Sequence, residues 1–227
     1  MTSTQLAGFT VACTDVDLAA ETFATITGGD LTRRGETAEV AFDDVTIEIV
    51  TTQAAGVSRP GVCRVALAGS PSGSQPDTQL NSVAVHRTDD DRPHRPAGDV
   101  EFDHVALAVG DLAAATDAWA DLTGCEVHQM GTHPISGGAF EAARVLLGNR
   151  MIELLSPVPG VASAMAERIA KFGDNVIAVA MPAKDLDAKL AQLEQAGIAV
   201  LDQPPHKMVH PRATGGVLLQ LTPRVQH

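Results

Sequence analysis

The chain has 227 residues, 44% apolar and 19% charged, enough to bury one large core or two small ones, which argues against disorder. No uninterrupted apolar run approaches the roughly 18 residues that a bilayer span needs, and no basic stretch leads into an apolar one at the start, so the expectation is no membrane partner and a cytoplasmic home. The 16 basic and 28 acidic side chains leave a formal charge of -12, which repels phosphate backbones and argues against a nucleic-acid partner.

Cys13, Cys63 and Cys125 are odd in number, far apart, and match neither a disulfide framework nor a paired-thiol metal spacing; buried, reduced thiols are expected. With no Tyr, one Trp and six Phe, phenol chemistry is absent and little is left for aromatic ligand cages.

The first element, from Gly8, is half of an internal repeat: residues 8–31 moved forward by 96 positions lie without a gap on residues 104–127. Val11 then falls on Leu107, Asp15 on Asp111, Phe23 on Trp119 and Gly28 on Gly124. Each copy reads as a short apolar strand, an Asp that can cap a helix, apolar residues at helical spacing, and a Gly that can end it. Three strands are predicted after each helix, the last at residues 44–50 in one copy and 149–155 in the other, both carrying Ile-Glu between apolar residues. Residues 62–68 and 82–86 are strand-like, separated by a Gly/Ser/Pro stretch at 69–74, as in a unit that has lost its helix. Residues 89–96 are charged and Pro-rich like a linker, which sets the predicted organisation: domain 1–92, linker 93–100, domain 101–227.

Beyond the second copy, residues 163–172 read as a short amphipathic helix with Met165, Ile169 and Phe172 inward and Gly173 as its stop. A third copy begins at residues 176–181, continues into a helix with Leu186, Leu190 and Leu193 on one face, and finishes at residues 216–221. The repeating unit is βαβββ, and the predicted fold class is α+β, with tandem units forming curled mixed sheets around a cavity.

The run Phe102-Asp103-His104-Val105-Ala106-Leu107-Ala108-Val109, the helix after Asp111, the run from Met151 to Pro157 and the run from His210 to Leu218 occur in the order of the vicinal oxygen chelate superfamily. Within it the second half resembles the methylmalonyl-CoA epimerases and their glyoxalase-like relatives; the first half resembles them only as a faint repeat. The resemblance implies a divalent metal, of unnamed identity, held by first-strand and last-strand residues of two units. Carried over position by position, these are His104 and Glu153 in the second unit and Gln220 in the third, whose first-strand position falls on Val176 instead of an expected His. His206, His210, His128 and His133 are loop candidates for a further ligand. The family's catalytic glutamate falls in Gly137-Gly138, and Glu141, four residues on, is the nearest acid and the candidate proton acceptor.

A buried Glu153 would need a metal, His104 or an arginine to answer its charge. In the first half Gly8 replaces His104 while Glu48 keeps the position of Glu153, so that half reads as structural, with Phe9, Phe23 and Phe42 in its core and His86 a loose partner for Glu48. Arg144, Arg150, Arg168, Lys171, Lys207 and Arg212 read as solvated charges unless an acyl-CoA substrate needs phosphate partners. The resulting reading is an enzyme, a metal-assisted isomerase or epimerase, or a lyase, that enolises a small carbonyl or acyl-CoA substrate. A metal-free small-molecule binding or sequestering protein is the alternative, a ring-cleaving dioxygenase a third; single-chain and homodimer states both stay open.

Overall fold

The computed structural model describes residues 4–69, 78–88, 98–135, 138–203 and 206–224. The charged, Pro-rich stretch at 89–96, Gly137, and all but Gly69 of the expected Gly/Ser/Pro turn lie outside them, and of the linker expected at 93–100 only residues 98–100 are described.

The first half runs β1 (Gln5–Cys13), α1 (Val16–Thr27), β2 (Asp30–Arg34), β3 (Thr37–Phe42), β4 (Val45–Thr51), β5 (Gly61–Ala68), β6 (Thr78–Leu80) and β7 (Val83–Thr88). The second runs β8 (His104–Ala108), α2 (Leu112–Thr123), β9 (Val127–Ile135), β10 (Gly138–Leu147), β11 (Arg150–Pro157), α3 (Ala164–Phe172), β12 (Asn175–Ala183), α4 (Leu186–Gln195), β13 (Val200–Gln203), β14 (His206–Val209) and β15 (Leu219–Pro223). The caps read from the repeat are formed. Asp15, Asp111 and Asp185 accept from the backbone N–H three residues on, at 2.9, 3.0 and 2.9 Å. Gly28 and Gly124 end α1 and α2 in the left-handed conformation that a Cβ disfavours.

Among the described residues each half forms one sheet, ordered β2-β3-β4-β1-β5-β7-β6 and β9-β10-β11-β8-β12-β15-β14-β13. In both, two first strands lie antiparallel at the centre, β1 with β5 and β8 with β12. Each is flanked by the last strand of its own unit, running parallel to it. The stretch from β5 to β7 is therefore a unit without a described helix, in the place that β12 to β15 holds in the second sheet.

Alternation along the strands sends one set of side chains toward the helices. Val105, Leu107, Ile152, Leu154, Val179 and Met181 join Trp119 of α2 in a core continuous with Phe9, Phe23 and Phe42 of the first half. The opposite, concave face of the second sheet carries a separate cluster floored by Ala106, Ala142 and Ala178, with Leu155, Phe140 and Met165 around it. Phe172 departs from the inward placement expected for it. It is 39% exposed, because α3 stops at Gly173 and the ring is covered instead by the Arg59 guanidinium, 4.4 Å from its centroid. Cys13 is buried and Cys63 and Cys125 are half-buried; burial pushes the Cys13 and Cys63 thiols up, keeping them protonated. Among the described residues no helix is long and apolar enough to cross a membrane.

Two polar junctions tie the halves together. Arg150, 3% exposed, donates from Nε to the Phe102 carbonyl (3.1 Å) and from Nη1 to the Leu6 carbonyl (3.2 Å), and pairs through Nη2 with Asp43 (3.1 Å) and Asp44 in the β3–β4 turn. The β6–β7 turn sends Asn81 Nδ2 to Asp174 (2.7 Å), and Trp119 Nε1 donates to Asn81 Oδ1 (3.0 Å). The loop before β15 adds a close backbone approach. A Cβ on Gly215 or Gly216 would lie 2.8 Å from Cys13 Cβ or 2.7 Å from Pro60 Cβ, and both residues have positive φ, so the last strand begins at Leu219 and not at Gly216 as expected.

Breaking a buried ion pair from one side leaves charge without a partner. The Arg150→Met variant should lose about 3–5 kcal/mol in urea unfolding; a loss under about 1 kcal/mol would contradict the role assigned to this side chain.

Candidate functional site

The site begins with the entry of β8. His104 is held by its neighbour Asp103, whose Oδ2 lies 2.6 Å from Nδ1. A carboxylate on one ring nitrogen fixes the tautomer and directs the lone pair of the other outward, the arrangement common behind metal-bound imidazoles. Here the outward nitrogen, Nε2, is 3.6 Å from Glu153 Oε2 on β11. Both side chains are largely enclosed, 13% and 18% exposed. The other Glu153 oxygen, Oε1, accepts from Arg144 Nε (3.3 Å) and Nη2 (3.2 Å) on β10. The charge of Glu153 is thus answered by the Arg144 guanidinium at one oxygen, while the other oxygen faces His104 Nε2.

Strand register places the remaining residues. Glu153 pairs with Ala106, His104 with Ala180, and Ala180 with Gln220. Directly opposed residues share a face, so His104, Glu153 and Gln220 all belong to the concave side, with only alanine methyls between the rows. Gln220 Nε2 lies 2.7 Å from His206 Nδ1 on β14. With the amide nitrogen as donor, Gln220 Oε1 is left as the acceptor and His206 carries its proton on Nε2.

Two expectations are corrected here. Val176 is not the counterpart of His104: it pairs with Leu107 and packs against the helix-side core. An irregularity between Val176 and Ala178 shifts the alternation, and the residue facing the cavity is Ala178. Spacing to the helix caps agrees, since Gly8, His104 and Ala178 each precede a capping Asp by seven residues. Glu141 is not brought to the site. It pairs with Ser156, one residue out of phase with the Arg144–Glu153 pair, and so lies on the opposite face of β10.

Of the other histidines, His128 pairs with Glu126 (2.8 Å), His133 stacks on Phe140 (5.5 Å between centroids), and His210 Nδ1 accepts from Arg212 N (3.1 Å). Among the described residues no group of three or more His, Cys, Asp or Glu side chains is placed to hold a metal ion. The roles of Asp103 and Arg144 escaped sequence reasoning. Adjacency of Asp103 to His104 was the available signal for one; Arg144 was legible only through the β10–β11 register.

The first half repeats this frame with altered chemistry. Glu48 accepts from Thr10 Oγ1 (2.8 Å) and lies 3.5 Å from Arg64 Nη1. Arg64 pairs with Thr10 as Ala178 pairs with Ala106, so a guanidinium stands at the place that Ala178 holds in the second half. His86 pairs with Ala66 and occupies the place of Gln220. At Gly8, a Cβ would fall 2.1 Å from the Thr46 carbonyl oxygen, so no imidazole can be carried there.

Comparison with known proteins agrees with this architecture. A family model described as a glyoxalase-like domain matches residues 102–220. No curated protein matches the chain. Among solved structures, a variant of 4-hydroxymandelate synthase from Streptomyces coelicolor is 13% identical and covers 100% of this chain and 95% of its own, with a TM-score of 0.73, a likeness of fold. Methylmalonyl-CoA epimerase from Mycobacterium tuberculosis is 24% identical over 55% of this chain and 88% of its own, with a TM-score of 0.46. The Streptomyces coelicolor methylmalonyl-CoA epimerase in complex with 2-nitronate-propionyl-CoA is 26% identical over 55% of this chain and 97% of its own, with a TM-score of 0.44. With more than half of its length matched by the family model and both sheets built on the same fold, the chain belongs to the glyoxalase-like family of the vicinal oxygen chelate superfamily.

Proposed function

We propose that the concave face of the second sheet holds a divalent ion through His104, Glu153 and Gln220, and that the protein is an enzyme, an isomerase, epimerase or lyase, that moves a proton beside the carbonyl of a small carbonyl or acyl-CoA substrate. The observation that carries this reading is the 3.6 Å separation of His104 Nε2 and Glu153 Oε2, with Asp103 orienting the ring from behind and Arg144 occupying the other carboxylate oxygen. An imidazole, a carboxylate and a carboxamide make a donor set suited to a hard or borderline divalent ion with positions left for water or substrate. A divalent ion held there would supply Lewis-acid polarisation of a carbonyl oxygen.

The protein's own groups have separable tasks. Arg144 donates from Nε and Nη2 to one oxygen of Glu153 and fixes its plane. Asp103 holds His104 in the tautomer that presents Nε2. His206, with Nδ1 on the Gln220 amide, presents Nε2–H and is suited to donate a hydrogen bond to a substrate oxygen. The alanine floor leaves room for a ligand over the two central strands. Glu141 lies on the wrong face to act as the proton acceptor.

Two observations favour a second reading, a metal-free binding protein on the same fold: Ala178 stands where a first-strand ligand would be expected, and Arg144 already pairs with Glu153.

Metal analysis separates the two. Protein purified without chelators should carry about one equivalent of divalent metal, and His104→Ala should lose it while keeping its circular dichroism. Metal-free wild type, or equal metal in both proteins, would favour the binding protein. Incubation in heavy water should exchange the proton beside the carbonyl of methylmalonyl-CoA or of simple α-hydroxy or α-keto compounds. Glu153→Ala should slow that exchange by roughly 100-fold or more, whereas Glu141→Gln should leave it within about twofold because it faces away. A large loss in Glu141→Gln would overturn the assignment of faces.

A further inference from the structure

A cleft of about 80 Å³ lies where the halves meet, lined by Arg59, Cys63 and Ser82 of the first half and Arg168, Asn175 and Val176 of the second. It is large enough for a few water molecules at roughly 30 Å³ each, hence for one small anionic group. Three cations gather around Phe172 at its edge: Arg59 at 4.4 Å, Lys171 at 5.0 Å and Arg168 at 5.7 Å from the ring centroid. This concentration of positive charge stands out in a chain of net charge -12.

Arg59 is half-buried and Arg168 exposed, and two features mark them out among the basic residues. Neither has a carboxylate partner among the described residues, although the chain carries 28 acidic side chains. Arg168 is also fixed in place. Its Nε donates to Asn175 Oδ1 (2.7 Å), and the Asn175 amide in turn donates to the Gly173 carbonyl (2.7 Å), which keeps that helix-terminal carbonyl occupied. Asn175 is 5% exposed, so the guanidinium is anchored on a buried amide with its two terminal nitrogens left for another acceptor. Burial, and then the charge of Arg59, hold Arg168 below its usual pKa, as expected of two like charges facing an empty space.

We infer that this cleft is an oxyanion site that takes one phosphoryl group between the guanidinium groups of Arg59 and Arg168. Two guanidinium forks lining one cleft match the several oxygens of a phosphoryl dianion better than the two of a carboxylate. The Ser82 hydroxyl lies on the rim, in a turn where Asn81 and Ser82 both have left-handed φ, 49° and 60°. An anion there would join the two halves, since Arg59 and Arg168 come from different sheets' connections. None of these residues belongs to the His104–Glu153 site, so the inference stands apart from the proposed chemistry.

The single tryptophan offers a readout, because Trp119 Nε1 donates to Asn81, the neighbour of Ser82. Wild-type protein is titrated at constant ionic strength with inorganic phosphate, glycerol phosphate and acetate, following Trp fluorescence and the thermal midpoint. Both phosphates should give saturable changes and raise the midpoint, with acetate about tenfold weaker or worse. Tighter binding of glycerol phosphate would mark the source as the phosphoryl group of a larger molecule, and equal or tighter binding of inorganic phosphate would mark the free ion; either supports the site. Arg59→Gln and Arg168→Gln should each weaken phosphate about tenfold or more, while Lys171→Gln, outside the cleft lining, should stay within about twofold. Each variant is compared with its own ligand-free midpoint, so altered stability does not obscure binding. No saturation in wild type, or affinity unchanged in both arginine variants, would overturn the site.

Discussion

Everything at the candidate site depends on the antiparallel pairing of two first strands, β8 and β12, each flanked by the parallel last strand of its own unit. That arrangement has local twofold symmetry, so positions at the same register in the two units converge on one face. Hydrogen bonding fixes the rows: His104 beside Ala180 and Gln220, Ala106 beside Glu153 and Ala178. A slip of one residue in either pairing would turn these side chains into the helix-side core, where an unpartnered Glu153 would cost several kcal/mol. The register is locked from the other side by the large residues that must be buried there, Leu107, Ile152, Leu154 and Trp119.

How legible this was from sequence varied with the physics involved. The repeat, the capping Asp residues and the glycine stops are local signals, and α1, α2 and α4 begin where they indicate. His104, Glu153 and Gln220 were placed through the family resemblance, and all three share a face. What failed depended on strand phase. A bulge between Val176 and Ala178 turns Val176 to the helix side, and the seven-residue spacing to the capping Asp185, which marks Ala178, is the sequence signal that the strand pattern alone passes over. Glu141 was assigned by counting along one strand, whereas its face is set by pairing with Ser156 across the next. Phe172 looked inward by helical periodicity, yet it sits in the last turn of α3, where a cation and not the core covers it.

The two halves show what one frame can be made to do. In the first, Arg64 supplies a permanent positive charge beside Glu48, and the backbone at Gly8 excludes an imidazole. In the second, Arg144 takes only one oxygen of Glu153 and leaves the other facing His104. The halves are bound into one body by a common core and by Arg150, whose fork reaches backbone and carboxylates of the other sheet. That union also shapes the basic cleft at their junction.

The central claim is that the concave face of the second sheet is a metal site, and the position of the ion tests it most directly. Crystals grown with manganese or cobalt and measured at the metal absorption edge should show one anomalous peak on that face, within about 2.0 to 2.2 Å of His104 Nε2 and a Glu153 oxygen and in reach of the Gln220 amide oxygen. A peak bound elsewhere, or none while Arg144 and His104 remain paired with Glu153, would contradict the account.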